Sequence, residues 1–276
     1  MVQATVLALT AAVLHAGWNL VVKVRGDRLA FLCVQFLFGG VIAVAGLVAL
    51  GDLGAVAWPW AALSGVIHVP YFLLLARSYR YGDFSLVYPL ARGGGALAAA
   101  IGGALLLGDE LTPLSWLAIA IVAGGLASLA APAAPGQAVA AALALAAVIG
   151  AYTVVDSRGS RVSAAATYGL ATVTADAVGA ALVLTATRRW PAARRVARES
   201  PATCLGAGLA ALAAYALVMV AVREAPVGYV TALRESSVVI GALAGWRLLH
   251  EPPGRARVAS SIVVLCGLVL LIVTAP

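Results

Sequence analysis

The sequence predicts an all-α membrane protein with ten transmembrane helices, arranged as two inverted five-helix repeats. The first observation is composition: of 276 residues, 63% are hydrophobic and only 11% are charged, with a mean hydropathy of +1.02. Soluble domains carry about 25% charged residues, so the solvent for most of this surface must be lipid. The other two observations are an internal repeat and an uneven distribution of arginine.

The apolar segments have the length of membrane spans, because about 20 apolar residues cross a bilayer core. Ten windows meet or nearly meet this length: 2–22, 29–50, 57–77, 84–107, 113–131, 137–155, 163–186, 203–222, 227–249 and 257–274. The breaks between them are short, and the longest hydrophilic run, residues 188–201, is predicted to be a loop. No room remains for a catalytic domain outside the membrane.

The two halves of the chain resemble each other. Residues 107–110 (Leu-Gly-Asp-Glu) end the fourth window, and residues 249–253 (Leu-His-Glu-Pro-Pro) end the ninth. Upstream, residues 90–92 (Leu-Ala-Arg) match residues 232–234 (Ala-Leu-Arg). Such repeats define many transporter folds. We therefore predict two domains, residues 1–135 and residues 136–276.

The basic residues predict that the second repeat is inverted in the membrane. Loops after windows one, three, seven and nine contain Lys23, Arg25, Arg28, Arg77, Arg80, Arg188, Arg189, Arg194, Arg195, Arg198, Arg255 and Arg257, and the other loops only Arg158, Arg161 and Arg223. The rich loops share one face only if the halves are inverted. By the positive-inside rule that face is cytoplasmic, with both termini outside. The net charge of +7 thus indicates topology and not nucleic-acid binding.

The composition also indicates a cell type. Lysine occurs only once, as Lys23, whereas alanine and arginine are abundant. This is typical of GC-rich bacterial genomes, so the expected location is the bacterial cytoplasmic (inner) membrane, with multiple passes.

The motifs resemble those of the EamA-type carriers of the drug/metabolite transporter superfamily. They are the His-Ala-Gly-Trp-Asn run of residues 15–19, the endings at residues 108–110 and 250–251, and glycines in the fifth and tenth windows. The resemblance implies a transporter with a substrate cavity between the halves, lined by spans 1, 3, 4, 6, 8 and 9, and alternating access. It is nearly silent on substrate. Glu110 and Glu251, which match a family position, are interpreted as structural.

Two arginines are the main candidates for substrate binding. Arg92 lies about 12 Å along its span and Arg234 about 10 Å along its own, at ~1.5 Å per residue. Because the spans start from opposite faces, both guanidiniums are expected near the midplane, where repeat transporters bind substrate. Each guanidinium can donate two parallel hydrogen bonds to a carboxylate, phosphate or phosphonate.

A structural role for these arginines stays open. Ionisable groups inside a bilayer cost about 2.5–3.5 kcal/mol on insertion scales, so they face a cavity or a partner. Arg92 would pair with Asp176, and Arg234 with a neighbouring acid. Glu235, next to Arg234 but pointing elsewhere around the helix, either forms a pair or carries a coupled proton. Asp176 itself is interpreted as structural.

The first span carries a polar and aromatic face. His15, Trp18 and Asn19 are spaced i, i+3, i+4 and are predicted to point inward. His15 is a candidate for substrate binding or proton coupling, although a hydrogen bond to a neighbouring helix would also explain it.

Other candidates for substrate binding are polar aromatic residues. His68 and Tyr71 repeat the i, i+3 spacing in the third span, and Tyr88 lies one turn before Arg92. Tyr152 and Tyr215 lie in the sixth and eighth spans. These side chains line a cavity or pack as core. No metal site and no cofactor are expected, because the histidines lack carboxylate or thiolate partners at ligand spacing.

The leading hypothesis is a secondary transporter, an exporter or exchanger, of a small anionic or zwitterionic metabolite such as an amino acid, organic acid, phosphorylated compound or phosphonate. The alternatives are a lipid-carrier flippase and a multidrug or cation exporter, although the first span has no carboxylate to bind a cation. An intramembrane enzyme would need a nucleophile or an acidic cluster that the sequence lacks. The expected partners are the substrate and the lipid bilayer, with no nucleic acid, and the protein is expected to be a monomer or weak homodimer.

Overall fold

The protein is helical throughout the part that the structure, a computed structural model, describes. That part comprises residues 1–50, 57–81, 84–128, 136–249 and 255–274. Twelve helices lie within it, and no strand occurs there. The motif residues His250 and Glu251 lie outside it.

The helices follow the predicted apolar windows in order. Their bounds are α1 Val2–Lys23, α2 Arg28–Leu50, α3 Trp58–Tyr81, α4 Phe84–Leu107, α5 Pro113–Ala127, α6 Gly136–Arg161, α7 Ala165–Ala186, α8 Trp190–Glu199, α9 Pro201–Glu224, α10 Val227–Arg234, α11 Ser236–Leu249 and α12 Arg255–Val273.

The structure differs from the predicted windows at three places. The loop predicted over residues 188–201 contains the short helix α8, whose arginines 194, 195 and 198 are exposed. The ninth window is divided at Glu235 into α10 and α11. The sixth window continues past residue 155 to Arg161, because Asp156 and Ser157 are wholly buried among neighbouring helices and do not end the span at the surface.

Six of the described helices are long and apolar enough to cross a membrane. They are Val2–Val22, Arg28–Leu50, Leu90–Leu107, Gly136–Arg161, Ala165–Ala186 and Pro201–Glu224, and two shorter apolar helices cover Pro113–Ala127 and Ala259–Val273. Large aliphatic side chains such as Val48, Leu105 and Val273 are more than 75% exposed. In water such a surface would be unfavourable, whereas lipid solvates it.

The helices of the first half pack against those of the second. α4 and α3 both pack on α6, α2 packs on α7, α5 on α12, and α1 contacts α9, α10 and α11. The α4–α6 contact is close because small residues face each other: a Cβ on Gly150 would lie 2.6 Å from the Ala98 Cβ, and one on Gly94 2.9 Å from the Ala146 Cβ. Small residues are the usual means of close helix approach in membranes.

Hydrogen-bonded groups join the helix ends at one side of the bundle. α4 ends at Leu107, and the next residue, Gly108, has a φ of 70° that turns the chain away from the helix. Asp109, which follows, accepts a hydrogen bond of 2.6 Å from Arg161 at the end of α6 and another of 2.6 Å from the backbone N–H of Val227. Because an N–H at a helix start has no partner within its helix, Asp109 stabilises the start of α10.

A second set of contacts joins the connections that follow α1 and α7. Arg189 donates two hydrogen bonds of 3.0 Å to the carboxylate of Asp27. Arg25 donates one of 3.4 Å to the hydroxyl of Ser200. These two connections therefore lie on the same side of the bundle.

Candidate functional site

A small buried cavity lies where α4, α6 and the junction of α10 and α11 meet. Its polar lining consists of Arg92, Tyr152, Thr153, Thr231, Arg234 and Glu235. The volume open to the centre of a water molecule is about 10 Å³, which is roughly the space that one water needs. The cavity is therefore closed to a metabolite in this conformation.

Arg92 and Glu235 form a buried bidentate ion pair in this cavity. The Nη2 of Arg92 lies 2.6 Å from Oε1 of Glu235, and Nε lies 3.2 Å from Oε2. Both residues are less than a tenth exposed. Parallel hydrogen bonds of this kind are the strongest geometry for the pair. Glu235 thus forms an ion pair with Arg92, whereas the structural alternative raised from the sequence had named Asp176.

Arg234 ends α10 and adds a second buried guanidinium to the same cavity. Its Nε has no hydrogen-bond partner in the part of the chain that the structure describes. It lies in electrostatic range of Arg92, Glu235, Tyr152 and Tyr215. The cavity lining thus contains two guanidiniums and one carboxylate, which leaves one positive charge in excess.

The break between α10 and α11 positions these groups. Glu235 occupies a turn in which its own N–H bonds to the carbonyl of Ala232 and its carbonyl accepts from Val238, each at 3.0 Å. The following hydroxyls, of Ser236 and Ser237, are buried without a hydrogen-bond partner among the described residues. Such interruptions of a spanning helix are tolerated where the backbone lines a cavity.

The three candidates of the first span are only partly brought to this cavity. His15 lies in electrostatic range of Arg92 and Arg234. Trp18 instead packs against Phe36 of α2, with ring centroids 6.4 Å apart. The side-chain amide of Asn19 donates to the backbone carbonyl of His15 at 2.8 Å.

The aromatic candidates form a group beside the cavity. The ring of His68 lies 4.2 Å from that of Tyr152, and Tyr71 meets both rings edge-on, 5.9 and 5.8 Å away. Only Tyr152 lines the cavity. The hydroxyl of Tyr215 donates a hydrogen bond to Asp156. The side chain of Tyr88 lies outside the described residues.

Asp156 is a buried ionisable residue that the sequence analysis placed in a loop. Its exposed fraction is zero, and Tyr168 donates a hydrogen bond of 3.1 Å to it. A signal was present in the sequence: Thr153, Asp156 and Ser160 are spaced as one face of a helix, and all three are buried. The Nδ1 of His68 lies 3.2 Å from Oδ1 of Asp176, which is on the neighbouring α7.

The described residues contain no group of three histidine, cysteine, aspartate or glutamate side chains that could hold a metal ion. The polar groups that line the cavity are two guanidiniums, one carboxylate, one phenol and the hydroxyls of two threonines.

The fold and this buried charge cluster define a multi-pass helical membrane protein with a polar interior. The model of the EamA-like transporter family matches residues 136–273, and the chain belongs to that family. It is thus a membrane transporter of the drug/metabolite type, a class of transporters and not of enzymes.

The comparison with solved structures shows the fold. A crystal structure described only as "Crystal structure of protein" is similar with a TM-score of 0.74, at 18% sequence identity, over 99% of each chain. At that identity the likeness extends to the fold alone. No curated protein sequence matches the chain significantly.

Proposed function

We propose that this protein is a secondary transporter, an exporter or exchanger, of a small anionic or zwitterionic metabolite, working by alternating access. The observation that most supports this proposal is the net positive charge of the buried cavity, which is lined by two arginines, Arg92 and Arg234, but by one carboxylate, Glu235. A buried charge without a partner is costly. An anionic group of the substrate would supply the missing negative charge.

The shape of the cavity supports alternating access. The space that it leaves is about 10 Å³, much less than the 300–1,000 Å³ typical of ligand pockets. Its walls come from α4 in the first half and from α6 and α10 in the second. A separation of the halves would widen it toward one side of the membrane and then the other.

The packing supports the proposal that residues 1–135 and 136–276 are two related halves. If α1 to α5 correspond to α6, α7, α9, α10 with α11, and α12, every major contact between halves has a counterpart. Under this correspondence the α3–α6 contact is equivalent to the α9–α1 contact. The α4–α6 contact is equivalent to the packing of α10 and α11 on α1. The α2–α7 and α5–α12 contacts each join a helix to its own equivalent in the other half. A two-fold relation between the halves requires this pattern.

The contacts between helix ends support the proposed inversion. Asp27 and Arg189 join the connections after α1 and α7, which carry many of the basic residues. Asp109 and Arg161 join the ends of α4 and α6. We place the first set in the cytoplasm and both termini outside, in a bacterial inner membrane. Because both halves of the pathway lie in one chain, a monomer or weak homodimer suffices.

A thermal-shift screen of purified protein in detergent tests the substrate class. The panel contains glycine, glutamate, succinate, 2-aminoethylphosphonate, glucose 6-phosphate and tetraphenylphosphonium. A ligand that binds the folded state raises Tm by mass action. We expect an anion or zwitterion to raise Tm in the wild type and in Arg158→Gln, an exposed control on α6, and to have no effect on Arg234→Gln.

Two other results would contradict the proposal. Stabilisation by tetraphenylphosphonium alone, unchanged in Arg234→Gln, would indicate a cation exporter. Undecaprenyl phosphate is tested beside this panel, and stabilisation by it but by none of the soluble anions would indicate a lipid-carrier flippase.

A further inference from the structure

A second buried polar cluster lies next to the cavity, among α3, α6, α7 and α9. It contains two carboxylates, Asp156 and Asp176, which are 0% and 3% exposed, and His68, which is 5% exposed. The charge of the cavity described above does not involve these three residues. Ionisable groups at such depth in a membrane protein commonly mark ion or proton pathways.

The carboxylate of Asp156 accepts hydrogen bonds from uncharged donors. The hydroxyl groups of Tyr168 and Tyr215 each donate to one of its oxygens, the first at 3.1 Å. A hydrogen bond from Ser64 adds to these. The charged groups that act on Asp156 are His68 and the second carboxylate, Asp176.

Asp176 has a weaker set of contacts. Its Oδ1 lies 3.2 Å from Nδ1 of His68, yet no hydrogen bond of suitable geometry reaches that oxygen among the described residues. The Nδ1 of His68 lies 2.9 Å from the carbonyl oxygen of Ser64. Because a carbonyl oxygen only accepts, this Nδ1 carries a hydrogen, which it directs at Ser64 and near Asp176.

The charges of this cluster balance only if it holds a proton. With both carboxylates ionised, even a protonated His68 leaves one negative charge in excess within this cluster. The positive charge in excess in the cavity does not offset it, because neither Arg92 nor Arg234 is among the charged groups that act on Asp156 or Asp176. Ionised carboxylates cost several kcal/mol or more to bury without a partner, and two close carboxylates oppose each other's ionisation. One further proton, shared among the three groups, removes the excess.

We propose that Asp156, Asp176 and His68 form a proton-binding site, and that this site couples proton movement to the transport proposed above, on which the coupling rests. It assigns the coupled proton to a carboxylate other than Glu235, whose oxygens are both engaged by Arg92.

Tyr152 connects this site to the cavity. Its ring stacks on that of His68, with centroids 4.2 Å apart, and it also lines the cavity. It lies in electrostatic range of both arginines and both aspartates. Tyr152 and Asp156 are four residues apart on α6 and so share one face. A change of cavity shape that moves α6 therefore moves Asp156 relative to His68 and Asp176, which lie on other helices.

Infrared spectroscopy of the purified wild-type protein at neutral pH tests the proton site without any transport assay. A protonated carboxylic acid has a C=O stretching band distinct from that of a carboxylate. We expect such a band, which shifts in D₂O and on labelling with carboxyl-¹³C aspartate; the chain has six aspartates. A spectrum without the band, or a band that shifts only with labelled glutamate, would overturn the proposal.

Substitution of the buried aspartates assigns the infrared band to a residue. Asp156→Asn or Asp176→Asn is expected to remove it, whereas Asp27→Asn is the matched control because that carboxylate pairs with Arg189 at a partly exposed position. A band that persists unchanged in both buried variants would refute the assignment. If either variant fails to fold, the labelled wild-type spectrum still decides whether an aspartate holds the proton.

Coupling is measured in proteoliposomes with a pH-sensitive dye inside, using the panel compound that most stabilises the wild type. We expect its addition to move protons in the wild type, and Asp176→Asn to lose this flux at least tenfold while keeping the thermal shift. Equal flux in the variant would overturn the coupling. If no panel compound stabilises the wild type, the proposed function fails, whereas the infrared band independently decides the proton site.

Discussion

At the scale of single residues, the Arg92–Glu235 pair controls the charge of the cavity. Both side chains are buried and joined by two hydrogen bonds. Breaking such a pair on one side leaves the other charge buried alone, which costs about 3–5 kcal/mol, whereas replacing both members costs much less. Arg234 differs because its Nε lacks a partner among the described residues, and it is the group most available to a ligand.

A double-mutant cycle tests this view of the pair. Arg92→Gln and Glu235→Gln are each expected to lower Tm strongly, and the double variant to recover a large part of the loss. The measurement is thermal unfolding in detergent. Additive losses would show that the two side chains do not interact in the folded protein.

At the scale of elements, the packing of α4 against α6 forms two adjoining walls of the cavity. Glycines on both helices allow it, because a Cβ at Gly150 would lie 2.6 Å from the Ala98 Cβ and 3.2 Å from the backbone of Ala98 and Ala99. Backbone atoms cannot give way as a flexible side chain can. The separation of these helices therefore depends on the absence of a single methyl group.

Gly150→Ala is expected to destabilise the protein by about 1–3 kcal/mol through overpacking. Gly206→Ala on α9 is the matched control, since a Cβ there meets nothing within 4 Å, and alanine is favoured over glycine in a helix interior by about 0.5–1 kcal/mol. Thermal unfolding of the two variants side by side checks this. Equal stability of the pair would mean that α4 and α6 are not in close contact.

At the scale of the whole molecule, the excess of basic residues on one side predicts the orientation in the membrane. In a background with the exposed Cys266 replaced by alanine, Cys33 and Cys204 remain buried. We expect Arg198→Cys on α8 to react with a membrane-impermeant maleimide only in opened right-side-out vesicles, and the exposed Glu110→Cys to react in sealed ones. The reverse pattern would place both termini in the cytoplasm.

The candidate site was only partly predictable. The repeat led to Arg92 and Arg234, and the structure places both in one cavity. The structural alternative paired Arg92 with Asp176, whereas the structure pairs it with Glu235. This pairing depends on how α4 meets the α10–α11 junction, and helix periodicity does not describe contacts between distant helices. Asp156 was missed because a charged residue near the end of an apolar window resembles the start of a loop.

The sequence by itself determined that this protein is helical and crosses the membrane several times, since a chain that is 63% hydrophobic in spans of bilayer length has no other stable solution. It also determined the family, through its motifs. Only the tertiary structure decided which buried charges meet: Arg92 with Glu235, and His68 with Asp176. The physical reason is that hydropathy is a property of each segment alone, whereas a buried charge is stabilised by partners that packing brings from elsewhere in the chain.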